Sequence, residues 1–308
     1  MTAAAAPDLS RFDLQGRIGR LIVYPVKSCA GVEVQEALLT ETGLEFDRAW
    51  MVVDESGRFL SQRELPRMAL IRPQMKHYEM VLRAPGMLAL HIAYDRVEAP
   101  VRVTVWKDEV AAYDMGDVAA QWFSDFLAEP GQPPRRLRLV RFDPEHQRLS
   151  SRKWTGEVLA QTQFADGFAL LVISQAAVDE LNQRLVARGQ APVDAMRFRP
   201  NLVLADVHAH DEDQLQMIHI GTEQGAARLQ PVKPCIRCSI PDVDLATAQT
   251  GTAVADALRD YRADARMQGA VTFGMNVIVR DGVDHLLKVG QPIGADFGFD
   301  SPTAAARA

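Results

Sequence analysis

Cysteine is scarce in this chain of 308 residues, which holds only Cys29, Cys235 and Cys238. An odd count, with two cysteines three positions apart, does not make an extracellular disulfide framework, so a reducing compartment is favoured. An excess of basic charge is also lacking. The 34 Lys and Arg stand against 40 Asp and Glu, a net charge of −6. That balance argues against a general binder of nucleic acid or of an anionic membrane and leaves room only for a local basic pocket. No run approaches the ~20 apolar residues that span a bilayer. Residues 1–10 are Ala-rich and carry no basic residue before an apolar run. They lack the pattern of a secretory signal or an Arg-rich transit peptide, and a cytoplasmic location is expected. There is no internal repeat, no low-complexity segment and no Gly-x-Gly-x-x-Gly fingerprint. No coiled-coil seam is present either, and a monomer is expected.

The composition that remains is that of a globular protein, 47% hydrophobic and 24% charged. Its length suits two domains whose core needs no disulfide or structural metal. The first half reads as β-structure. Gly19–Tyr24 is a strand ending at Pro25. Trp50–Val53 and Phe59–Leu60 flank the turn Asp54–Gly57, and Glu79–Arg83 and Leu88–Tyr94 flank the turn Ala84–Met87. Val101–Val105 alternates apolar and polar residues. Short strands separated by turns suggest a barrel or a strongly curled sheet. A helix is expected over Val118–Leu127, with Val118, Trp122, Phe123 and Phe126 facing the core and residues 132–134 (Gln-Pro-Pro) closing it. Residues 141–156 are hydrophilic enough to form a mobile connection or a lid, and the domain boundary is placed there. In the second half, Ala169–Ile173 is a continuous apolar strand. Ser174 caps a helix from Ala176 to Arg188, whose stripe is Val178, Leu181, Leu185 and Val186. Leu202–Leu204, Met217–Ile220 and Val277–Val279 read as strands, Asp281–Gly282 as a hairpin turn, and residues 301–308 as a frayed tail.

The residues able to carry chemistry cluster in Pro231–Asp244. Its three prolines argue against a regular strand or helix, and Lys233 and Arg237 stand beside Cys235 and Cys238. Nearby cations favour the thiolate, which is both nucleophile and metal ligand. Cys-x-x-Cys alone admits half of a zinc site, a dithiol redox pair, two buried inert cysteines, or a soft-metal site using one thiolate. Two further segments offer cations. Tyr24–Gly31 places Lys27 and Ser28 on a loop leaving a strand, where they can meet a phosphate or simply face solvent. Met196–Asn201 carries Arg197 and Arg199, which can grip an anion or join a surface ion-pair network.

Together these segments resemble the MOSC family over nearly the whole chain. Residues 17–140 resemble the β-barrel domain that precedes MOSC, through Tyr24-Pro-Val-Lys-Ser-Cys-Ala-Gly31, Asp47-Arg48-Ala-Trp50 and Ser61-Gln-Arg63. Residues 141–300 resemble MOSC itself, through Arg197-Phe-Arg-Pro-Asn201, Pro234-Cys-Ile-Arg-Cys238 and Pro241-Asp-Val-Asp244. The resemblance implies an α+β, β-rich fold: an N-terminal β-barrel-like domain packed with a MOSC β-barrel domain carrying a few helices. It also implies a molybdenum–molybdopterin cofactor, with Cys238 as the metal ligand and Arg237 beside it. Lys27, Ser28 and Arg48 match residues that hold the pterin phosphate. Arg199, Asn201 and Ser174 match further cofactor contacts. Asn276 falls where the amidoxime-reducing relatives carry a tyrosine. Cys235 has at most a supporting role, and Asp244 is either a general acid by proximity or a turn residue.

The implied activity is reduction of N–O bonds in small N-hydroxylated molecules, by oxygen-atom transfer to molybdenum. The sequence has no cysteine after Cys238 for an iron–sulfur site and no dinucleotide fingerprint. Electrons are therefore expected from a separate protein: a flavin reductase, a ferredoxin or a cytochrome. The competing reading is a sulfur carrier or molybdenum-cofactor sulfurase-type protein using a Cys238 persulfide. It lacks here the pyridoxal-phosphate, aminotransferase-like domain that usually accompanies such activity. A non-catalytic binding or zinc-structural protein is the third reading.

Overall fold

A computed structural model describes residues 8–129, 131 and 135–298. The expected leaderless N-terminus falls largely outside these residues, as do the frayed tail and the Gln-Pro-Pro stop at 132–134. The fold is β-rich, with four α-helices among the described residues: α1 (Asp117–Phe126), α2 (Arg152–Thr155), α3 (Gln175–Ala187) and α4 (Ala253–Arg259).

Seven strands close into a barrel. Around the ring they run Leu14–Val23, Leu202–Ala205, Leu170–Ser174, Ala270–Asp281, Gly225–Ile236, Leu215–Thr222 and Pro292–Phe297, which returns to Leu14–Val23. Only Leu170–Ser174 and Leu202–Ala205 pair in parallel, and α3 lies between them in sequence. Period-two patterning fills the ring: Leu170, Val172, Leu202, Leu204, Ile218, Ile220, Ala227 and Leu229 share one buried cluster. The alternate residues Leu171, Ile173 and Val203 pack outward against Val178, Leu181 and Leu185 of α3. Burial on both faces explains why Ala169–Ile173 is an unbroken apolar run. The first strand crosses the expected domain boundary, because Leu14–Val23 is a stave of the ring that the second half completes.

The rest of the first half forms smaller sheets beside the ring. One pairs Trp50–Val53, Arg138–Phe142, Asp108–Asp114 and Pro100–Val105. Another pairs Arg72–Met75, Glu79–Arg83 and Leu90–Ala93. Both expected turns are present: Gly57 (φ 78°) and Gly86 (φ 76°) take the left-handed conformation that glycine adopts without strain. Helix α1 buries Trp122, Phe123 and Phe126 against Trp50 and Met68, whereas Val118 is exposed. Val186 of α3 is likewise exposed, since the buried stripe ends at Leu185.

Three further expectations change. Pro231 and Pro234 lie inside the 12-residue strand Gly225–Ile236. The pairing with Ala270–Asp281 slips between Pro231 and Lys233 and again between Pro234 and Ile236. These bulges accommodate residues that have no N–H to give the ladder. Asp281–Gly282 turns the chain but makes no hairpin, because the following strand, Leu286–Lys288, pairs with Glu36–Thr40. Residues 141–156 are fixed rather than lid-like. Arg138–Phe142 is the second strand of its sheet. The buried Arg148 donates to the carbonyls of Gln163 and Ala165 (both 2.6 Å) and pairs with Asp108 (2.9 Å).

Candidate active site

A cleft opens where the barrel meets the smaller sheets, and the sequence motifs converge on it. Lys27 and Ser28 come from the loop after the first strand, and Arg48 from the approach to Trp50–Val53. Arg199 and Asn201 precede Leu202–Ala205, Cys235–Cys238 end the proline-bearing strand, and Asn276 lies on its neighbour. Three non-glycine residues of the cleft are left-handed: Ser28 (φ 68°), Arg48 (φ 50°) and Arg199 (φ 59°). Each such backbone costs on the order of 1 kcal/mol or more, and it persists only where surrounding contacts fix it.

Those contacts are visible around Tyr24. Its buried ring carries the Arg48 guanidinium at 4.4 Å and the Arg199 guanidinium at 4.3 Å. Arg48 also pairs with Asp47 (2.5 Å) and donates to the Asn201 side-chain oxygen and the Arg199 carbonyl, each at 3.0 Å. Asn201 is wholly engaged. The same oxygen accepts from the Leu171 amide (3.1 Å), and its Nδ2 donates to the Ile22 carbonyl (3.1 Å). It therefore positions Arg48 between two barrel strands. Arg199 spends one nitrogen on the Cys29 carbonyl (2.6 Å) and leaves Nη2 buried without a partner. Burial, then repulsion from Arg48, lowers the Arg199 pKa to about 10.

Lys27 is buried, donating to the Phe164 carbonyl (2.7 Å) and pairing with Asp166 (2.5 Å). Burial pulls its pKa down, while Asp166 pulls the other way. The protein around Asp166 opposes its ionisation, but Lys27, Arg63 and Trp106 together outweigh this and hold the partly exposed carboxyl well below its ordinary range. Ser28 is buried as a residue, and its hydroxyl makes no hydrogen bond among the described residues. At the other wall, Arg237 turns to Cys235, donating to its sulfur at 2.9 Å and to the Phe198 carbonyl at 2.6 Å, with Nε buried and unpartnered. Cys238 is exposed, and its sulfur accepts from Arg63 Nη1 at 3.6 Å. Cys29 is buried, which pushes its thiol up to about 12. Asn276 donates to the Lys233 carbonyl (3.2 Å) and lines the same cleft.

One expected contact moves elsewhere. Ser174 is fully buried away from the cleft lining and caps α3. Its Oγ accepts from the amides of Ala177 (3.3 Å) and His210 (3.2 Å), and the side chain does not reach the cleft. Asp244 pairs with Arg197 (2.8 Å) and accepts from the amides of Ala246 (3.0 Å) and Thr247 (2.9 Å), which is the turn reading. Sequence reasoning passed over Asp166, whose only local signal is the Asp166–Gly167 turn pair. It quoted Arg63 within a motif without giving it a role.

The donor set fits an anionic, metal-bearing group. Lys27, Ser28, Arg48, Arg199 and Arg237 gather in one cleft of an acidic protein, with donor atoms of Arg199 and Arg237 left unmatched. Buried unmatched donors cost about 1–3 kcal/mol each, a deficit that a bound anion removes. Among the described residues no three His, Cys, Asp or Glu gather in metal-binding positions. A metal at Cys238 would thus arrive with its other ligands.

Fold and site together define a β-barrel protein with a cationic cleft beside an exposed thiol. The chain belongs to the MOSC family: residues 15–130 match the MOSC N-terminal beta barrel domain and residues 160–294 the MOSC domain. It is 33% identical to mitochondrial amidoxime-reducing component 1 of Mus musculus over 76% of this chain and 67% of that protein. It is 30% identical to the protein of the same name from Homo sapiens over 90% and 82%. Likeness to the molybdenum cofactor sulfurase of Bos taurus is 30% over 85% of this chain, which spans 30% of the sulfurase.

Proposed function

We propose that this chain holds a molybdenum–pterin cofactor through Cys238 and reduces N-hydroxylated small molecules. The carrying observation is the exposed Cys238 thiol at the rim of a cleft in which Arg199 and Arg237 each hold a buried, unmatched donor nitrogen. Similarity to amidoxime-reducing proteins over most of the chain supports the same reading. Lys27, Ser28 and Arg199 would hold the pterin phosphate, Arg48 and Asn201 would set their positions, and Arg237 and Asn276 would line the pterin. When bound, the cofactor supplies two-electron reduction. The net change would be an N-hydroxyl compound, two electrons and two protons giving the parent amine or amidine and water. The residues of this chain ligate, orient and neutralise charge. Electrons come from a separate flavin reductase, ferredoxin or cytochrome, and the working form is a cytoplasmic monomer.

A sulfur-carrier reading is favoured by one observation: Cys238 is exposed with Arg63 beside it, as a persulfide site also needs. Elemental mass spectrometry on protein from a cofactor-competent host decides between them. Near-stoichiometric molybdenum that falls at least tenfold in Cys238→Ala is the expected result. Cyanolysable sulfur on Cys238 with no molybdenum and no pterin would replace the reductase by the carrier.

A further inference from the structure

Cys238 belongs to two cavities. The cationic cleft lies on one side. On the other, a second cavity of about 320 Å³ shares Arg237, Cys238 and Pro241 with it and is closed by α4. The two walls differ in character. The second is made largely of Pro241, Val254, Ala255, Leu258 and Val271. Its charged groups are already engaged. Asp242 accepts from the amides of Val254 (2.8 Å) and Ala255 (3.3 Å), Arg259 pairs with Asp256, and Arg237 is turned to Cys235. Arg237, whose Nε is unmatched, stands on the wall shared with the first cleft; apolar surface is most of what the remaining wall offers.

We infer that this second cavity is the substrate pocket, receiving the uncharged carbon body of a molecule whose reacting polar group meets the sulfur-bound centre at Cys238. The inference rests on the reductase reading for the word substrate, but the binding site itself does not. The size suits one ring or a short branched chain, since small-ligand pockets begin near 300 Å³. An anion belongs in the first cleft, where Lys27, Arg48 and Arg199 converge, and an uncharged body in the second, whose wall is mostly apolar. Cys238 joins the two because Arg237–Pro241 forms their common wall. Ala255 is the specificity-determining position. It is half-buried on α4 at the cavity wall, so a larger side chain there fills the space with little demand on the buried core of Val254, Ala257 and Leu258.

The test uses benzamide, an uncharged ring-sized probe, on the cofactor-free chain, in which the Cys238 thiol is free to react. Wild type should bind it at millimolar concentration by protein-observed NMR, and saturation should slow alkylation of Cys238 by iodoacetamide at least threefold. Ala255→Phe should weaken binding at least tenfold and abolish the protection. Ala255→Gln, which asks less of the packing, should weaken it about threefold and decides the matter if the Phe variant does not fold. Inorganic phosphate binding should be unchanged in both. Absence of benzamide binding in wild type, or equal binding in wild type and Ala255→Gln, overturns the pocket. Intact benzamide binding in a protein that never takes up molybdenum overturns the reductase reading alone.

Discussion

The Asp166 carboxylate sits 2.5 Å from the Lys27 ammonium and occupies the position where an anion would meet that cation. Arg148 fixes this arrangement from behind by gripping the Gln163 and Ala165 carbonyls, so the loop carrying Asp166 forms a set part of the cleft wall. A bound phosphate must therefore displace the carboxylate or share Lys27 with it.

Asp166→Asn should strengthen binding of inorganic phosphate to the cofactor-free chain by about tenfold, roughly 1.4 kcal/mol. Isothermal titration calorimetry reads this directly, with Lys27→Met as the variant that loses binding. Equal affinity in wild type and Asp166→Asn would mean that the carboxylate and the anion do not compete.

Tyr24 separates two effects that usually travel together. Its hydroxyl is buried without a partner, and burial raises its pKa. Tyr24→Phe should accordingly leave stability within about 1 kcal/mol of wild type. Tyr24→Leu keeps apolar bulk but removes the ring beneath Arg48 and Arg199. It should cost about 2–4 kcal/mol and weaken phosphate binding as the two guanidiniums lose their common support. Denaturant unfolding with both variants checks the contrast.

Glu212 makes stability pH-dependent. It is fully buried with Oε2 unpartnered, and burial, then Asp213, raises its pKa to about 7. A carboxyl raised above its unfolded value stabilises the fold below pH ~4.5, and that contribution is lost as pH rises towards 7. Glu212→Gln keeps an acceptor for the Ser174 amide, which now bonds Oε1 at 3.1 Å. The variant should flatten the fall in stability between pH 5 and about 7.5, a difference on the order of 3 kcal/mol at the upper end. Parallel slopes in unfolding experiments across that range would remove Glu212 as the cause.

Much of the cleft was legible in the sequence because its residues sit in compact motifs. Lys27 with Ser28, Arg48, Arg199 with Asn201, and Arg237 with Cys238 each stand on a short loop or strand end, and folding brings all of them to one cleft. Asp166 was not legible, because its part depends on Lys27, 139 positions away. Ser174 was misplaced because a serine at a strand's end reads equally as cap and as ligand, and only α3 and Glu212 decide between them. Helical spacing overreached at Val118 and Val186, where the first and last turns run past the surface they cover. The proline-bearing strand was hidden because bulges are a property of the pairing partner as much as of the strand.

The first strand has a consequence for how the protein is made. Leu14–Val23 leaves the ribosome long before Pro292–Phe297, which is one of its two barrel neighbours. Until that last stave emerges, the strand presents an open edge to whatever else is nearby. The ring therefore stays open until Pro292–Phe297 has been made, and a chain cut short of that strand keeps an unpaired edge. Cutting between the two family domains would divide the barrel itself, so the halves are partners in one folding event rather than separable modules.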